Sequence, residues 1–99
     1  MDVRPTRKAS ANLDEEATFI AKQNPEAAAQ IVECIKGAVH KLANHPALGR
    51  PGRVLGTREL VISGTPYIIP YRVRGDTLEI LRVLHSSRKW PNHFSPLGL

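Results

Sequence analysis

The hydrophobic period of this chain changes once, and the change falls at "HPALGRPGRVLG", residues 45–56. Before it, apolar residues recur at three- and four-residue intervals. After it they alternate, or run together in short β-branched stretches. Three glycines and two prolines within those twelve residues break either pattern and predict a structured loop. A chain of 99 residues holds a single core, so the helical half and the extended half have to pack on each other. The fold class that follows is α+β, with a helical hairpin on one face of a small antiparallel sheet.

Each half carries its own punctuation. In "NLDEEATFIAKQNP", Leu13, Ala17, Ile20 and Ala21 stand at helical spacing, with acids early and Lys22 late, as a helix dipole favours. Asn24-Pro25 ends this helix and begins the next, because asparagine caps well, proline suits the first helical position, and Glu26 follows in the first turn. The second helix places Ala27, Ile31, Cys34, Ile35, Ala38 and Leu42 on one wide stripe, with Cys34 read as a small core residue, until His45-Pro46 stops it. So short a turn makes the two helices a hairpin. Ahead of them, "DVRPT" is a candidate short strand and Thr6 a candidate cap.

Beyond the loop, "TRELVIS", "YIIPYRV" and "TLEILRVLH" predict a three-strand meander, joined through "GTP" and "RGD". Gly75-Asp76 reads as a tight hairpin turn, which displaces any adhesive reading of Arg-Gly-Asp. Leu13, Ile20, Ile31, Ile35, Leu42, Leu60, Ile69 and Ile80 are expected to form one core. The domain is expected to span residues 1–91, with "NHFSPLGL" (92–99) as a loosely held tail.

Several function classes drop out. No apolar run approaches the roughly 18 residues of a membrane span, and "MDVRPTRKAS" lacks the apolar segment of a signal peptide. The single cysteine, Cys34, excludes an internal disulfide framework, and the cytoplasm is the expected location. His40, His45, His85 and His93 show no metal-ligand spacing with Cys34, so neither metal nor cofactor is called for. A nucleic-acid module would need stacking aromatics on the sheet, but Tyr67 and Tyr71 are expected in the core. The side chains of His85, Ser86 and Ser87 point apart on an extended segment, which favours loop serines over a nucleophile.

Charge is more informative. The net +5 lies wholly in residues 50–99, where seven arginines and Lys89 face only Glu59, Asp76 and Glu79. Arginine forks match carboxylate and phosphate oxygens, so the imbalance points to an anionic partner. Arg58, Arg72 and Arg82 sit on neighbouring strands within apolar runs. Cross-strand pairing with Glu59 and Glu79, worth roughly 0.2–1 kcal/mol per pair, would leave arginines over. The stretch "ILRVLHSSRKWP" (80–91) begins as a core strand and ends in Arg88, Lys89 and Trp90. Trp90 serves either as an anchor for a target or as a cap on the open end of the sheet.

Taken together, "NPEAA" (24–28), "HPALGRPGR" (45–53), "GTREL" (56–60), "TPYIIPYRV" (65–73) and "EILRVLHSSRKWP" (79–91) resemble the RelE/ParE superfamily of toxins from bacterial type II toxin–antitoxin systems. The resemblance implies a helical hairpin on a small antiparallel sheet, and a cognate acidic antitoxin as partner. Two departures stand out. Pro5 occupies a position where relatives often carry tryptophan, and Pro70 one where they carry a β-branched residue. Proline donates no ladder hydrogen bond, so position 70 is expected at a bulge or an unpaired site.

The superfamily has two mechanisms. ParE-like members poison DNA gyrase, a binding event for which Arg72, Arg82, His85, Arg88, Lys89 and Trp90 are the expected contacts. RelE-like members cut mRNA on the ribosome, and there His85 would be the acid or base with Arg82 and Arg58 on the phosphate. Lys89 is the only lysine beyond residue 41 and no tyrosine follows Trp90, so the nuclease is under-equipped. Gyrase is the expected target.

Overall fold

The structure is a computed structural model and describes residues 1–87. The elements run β1 (Asp2–Pro5), α1 (Arg7–Ala21), α2 (Pro25–Leu42), β2 (Arg50–Pro51), β3 (Arg58–Val61), β4 (Tyr67–Arg74), β5 (Thr77–Ile80) and β6 (Leu84–His85). The expected α+β class is present, with two helices ahead of a mixed, mostly antiparallel sheet. Its strand order is β1-β5-β4-β3-β2, and β6 also pairs with β4. The sheet is wider than a three-strand meander. β1 adds to β5 in parallel, β2 emerges from the expected loop to pair with β3, and the last run splits into β5 and β6.

Both helices start where short polar side chains can cap them. The Thr6 side chain accepts the Ala9 N–H and Asn24 accepts the Ala27 N–H, each satisfying a donor left open in the first helical turn. α1 begins six residues before Leu13, the first residue of the apolar period, because its first turn presents only the small Ala9 to the core, beside Arg7, Lys8 and Ser10. Its acids therefore fall in mid-helix rather than in the first turn, and the dipole pattern read from sequence does not apply to it. It does apply to α2, which has Glu26 in the first turn and His40 and Lys41 in the last. α2 ends at Leu42, before His45-Pro46 is reached.

The helices cover one face of the sheet. Ile35, Leu42, Leu60, Ile69 and Ile80 are buried in one cluster, with Leu13, Ile20 and Ile31 packed at its margin, and Tyr67 and Tyr71 inside it. Cys34 is exposed, contrary to the core position expected for it. The α2 stripe is centred on Ile35 and Leu42, and its neighbour at 34 turns outward. The Gly75-Asp76 turn forms as expected. Gly75, at φ +60°, takes the first central position of a two-residue loop that closes Arg74 onto Thr77. Among the described residues no helix is long and apolar enough to cross a membrane.

On the far face, Ile68, Pro70 and Leu81 are also buried. Pro70 is inside the central strand, opposite Glu59 of β3, and the expected bulge lies beside it. Leu81 donates its N–H to the Pro70 carbonyl (2.8 Å), and Leu84 pairs with Ile68. Two residues, Arg82 and Val83, thus face the single residue Ile69, which defines a β-bulge. The bulge resets the alternation. Val83 joins Ile80 in the core cluster, where unbroken alternation would have sent it to the other face. Pro5 is accommodated at the end of an edge strand, where a missing N–H costs nothing.

Candidate functional site

The sequence-predicted residues divide among three environments. The first is the loop at 46–57, where the chain folds tightly around Tyr71. The Tyr71 hydroxyl donates to the Pro46 carbonyl (2.8 Å) and accepts the Gly49 N–H (2.8 Å). A Cβ on Gly49 would stand 2.6 Å from the Tyr71 ring, so only glycine allows this approach. Burial raises the Tyr71 pKa, opposed by the Gly49 hydrogen bond and by the nearby Arg58 charge. Arg58 itself donates to the Gly49 carbonyl (2.8 Å). A candidate phosphate ligand is therefore part of the loop's own framework.

The second environment is the arginine-bearing face of the sheet. Glu59, only 3% exposed, accepts from Arg50 (3.2 Å) and from the Arg53 N–H (2.9 Å), with the Arg53 side chain 3.4 Å away. Arg72 donates to Glu79 across the β4–β5 pair (2.7 Å), and Arg74 lies 3.9 Å from the same carboxylate. The cross-strand pairing of Arg72 is thus real. Sequence reasoning named Glu59 as a partner but missed its place at the centre of the loop, because nothing in "TREL" marks a buried acid.

The third environment is the end of the sheet. The Arg82 side chain is buried and donates to its neighbour's carbonyl, Leu81 O (2.8 Å); burial lowers its pKa. The Thr6 hydroxyl donates to that same carbonyl (3.1 Å), and Asn12 of α1 accepts the Val83 N–H (3.3 Å). The first turns of α1 therefore hold the bulge in place. His85 is half-buried opposite Tyr67, ring edge to ring face, with centroids 5.5 Å apart. Its Nδ1 accepts the Ser87 N–H (3.2 Å) and lies 2.8 Å from the Ser87 hydroxyl. Accepting a backbone N–H requires the tautomer protonated on Nε2. The turn brings Ser87 back to His85, where an extended strand would have separated them.

These groups do not converge. Arg58 pairs with Tyr71 and His85 with Tyr67, four residues apart on β4, or about 14 Å along a strand. Arg72 sits on the opposite face from Arg58, since neighbouring positions of β4 alternate. Arg88, Lys89, Trp90 and the expected tail at 92–99 lie outside the described residues. Among the described residues, what remains is a strand end with one imidazole, one anchored guanidinium and a hydroxyl. Such an arrangement suits recognition of a surface.

The architecture, a helical hairpin on a mostly antiparallel sheet with a loop-locked edge and a polar strand end, defines a small single-core protein of the kind the motifs suggested. The family described as "ParE toxin of type II toxin-antitoxin system, parDE" matches residues 3–90. The protein Y4kP of Sinorhizobium fredii is 51% identical over 89 residues, covering 90% of this chain and 92% of its own length. Toxin ParE1 of Caulobacter vibrioides is 32% identical over 85% of this chain and 88% of its own. Among solved structures, the chromosomal ParDE system from P. aeruginosa superimposes with a TM-score of 0.79 at 34% identity, over 86% of this chain and 95% of that one. The chain belongs to the ParE toxin family, within the RelE/ParE superfamily, and is a toxin of the type II toxin–antitoxin class.

Proposed function

We propose that this toxin acts by binding DNA gyrase, and that a cognate acidic antitoxin neutralises it. The observation that carries the target reading is the dispersal of the cationic groups. Arg58 is held by the Gly49 carbonyl and Arg72 by Glu79, about 14 Å or a sheet face away from His85. A metal-free nuclease needs its acid, base and cations around one phosphate. A binding toxin needs only a surface, and the strand end from Arg82 through His85 leads directly into "RKW". The match to the ParE family supports it only by class, as the side of the superfamily for which gyrase is the expected target.

The antitoxin reading rests on the excess charge of residues 50–99 and on the ParDE toxin–antitoxin system whose solved structure the chain resembles. Its acidic segment would lie along the helical hairpin and the sheet, burying on the order of 2,000 Å² or more. Co-expression with the neighbouring open reading frame should restore growth; equal growth with and without it would overturn this part.

The target is tested by adding purified toxin to gyrase supercoiling a plasmid and to ribosomes translating a defined mRNA. Inhibited supercoiling with intact message is expected. Truncation before Arg88 should abolish inhibition, while His85→Ala weakens it less. Cleaved message with untouched gyrase would overturn the reading, and His85→Ala should then slow cleavage by about 10²–10⁴-fold.

A further inference from the structure

We propose that Pro70 is a positioning residue for the target-binding end of the sheet, acting through the Leu81 carbonyl and the Arg82 side chain. The functional arm of this proposal rests on the gyrase reading; its structural arm does not. In an antiparallel ladder, residues that face each other in a hydrogen-bonded pair exchange two bonds. Leu81 gives its N–H to the Pro70 carbonyl at 2.8 Å. The return bond would need an N–H at position 70, and proline has none.

The Leu81 carbonyl is therefore left for other donors, and two reach it: the Thr6 hydroxyl at 3.1 Å and Arg82 Nη1 at 2.8 Å. One donor comes from the cap of α1 and the other from the first bulged residue. Together they fix the carbonyl away from β4 at the point where the register changes. An N–H at position 70 would compete for that carbonyl and draw the strand back into the β5 register. Continued pairing in that register would place Arg82 opposite Ile69 and Leu84 opposite Tyr67. A slip of one residue moves every following side chain to the other face, so His85 would leave Tyr67 and the segment after it would be turned over. Pro70 thus decides which face the strand end presents.

The test compares wild-type toxin with Pro70→Val, and with Pro70→Ala in case valine crowds this buried position. Three readouts are taken from each folded variant: the guanidinium resonances of Arg82, the ring-current shift of His85 beside Tyr67, and inhibition of gyrase supercoiling. Both variants should broaden or shift the Arg82 signals and lose the His85 ring-current shift. Inhibition should weaken about tenfold or more, as when an anchoring contact of an interface is lost. Introducing Pro70→Val into an Arg82→Lys background should add little, since both act through one carbonyl. Unchanged Arg82 and His85 signals in both variants would overturn the proposal, whatever happens to inhibition. So would an undiminished effect of Pro70→Val in the Arg82→Lys background. Absence of gyrase inhibition by wild-type toxin would sink the target reading alone, leaving the resonances to decide the role of Pro70.

Discussion

In the loop between residues 46 and 59 each arginine is held against something rigid: Arg50 and Arg53 against the buried Glu59, Arg58 against the Gly49 carbonyl. At the strand end, residues 80–87, one arginine is anchored, and His85 and the serines after it are at least partly exposed. Both regions carry arginine and both were candidates for recognising a target. The difference lies in where the carboxylates are. Glu59 and Glu79 draw four of the second-half arginines into the sheet's own framework. At the strand end Arg82 is instead tied to a backbone carbonyl, Leu81 O, with His85 half-buried and both serines exposed. An arginine count therefore measures potential; the positions of two glutamates decide how much of it reaches solvent.

The contrast is open to attack from its stiffest point downward. Gly49→Ala should destabilise most, by about 3 kcal/mol, because the new methyl overlaps the Tyr71 ring and hydroxyl in a site with no slack. Urea unfolding measures it, and a loss under about 0.5 kcal/mol would show the loop yields freely. Tyr71→Phe should follow at about 2 kcal/mol, since it strands the Gly49 N–H and the Pro46 carbonyl. Glu59→Gln should cost about 1.5 kcal/mol, moderated by the exposure of both arginine partners. If it costs nothing, the arginines of the loop are not held by that carboxylate. Ser87→Ala, at the strand end, should change the unfolding free energy by less than about 0.5 kcal/mol. Stability should thus fall sharply with changes in the loop and hardly at all with changes beyond β6. The reverse order would mean the two regions have been assigned the wrong way round.

The sequence made the helical hairpin legible because Asn24-Pro25 combines a cap, a first-turn proline and a break in one dipeptide. It made the core legible because Ile35, Leu42, Leu60, Ile69 and Ile80 keep helical or alternating spacing. Cys34 was misplaced because a wide stripe does not reveal its own edge. β2 was invisible: two residues between glycines carry no period, and only pairing with Arg58 and Glu59 defines them as a strand. The bulge was legible in part. Pro70 announced that a ladder bond had to be missing, but the location of the extra residue depended on Val83 finding the core and Asn12 and Thr6 reaching the freed backbone. For the candidate site, alternation placed Arg58 and Arg72 on strands correctly, but Arg82 falls in the bulge between β5 and β6. It could not show that Arg58 folds back onto a carbonyl nine residues earlier, because that contact belongs to the loop's path and not to any period.

The parallel pairing of β1 with β5 has a consequence in time. Asp2 meets Thr77, and Thr6 meets Leu81 across 75 residues, so the first strand made is among the last to find its neighbour. At synthesis rates of roughly 5–20 residues per second, that interval lasts about 4–15 s. In the part of it that follows the synthesis of Leu42 the helical hairpin can form from local contacts alone, while the β1–β5 edge and the bulge beside it do not yet exist. Every nascent copy therefore passes through a period in which its helices are made and its strand end is not.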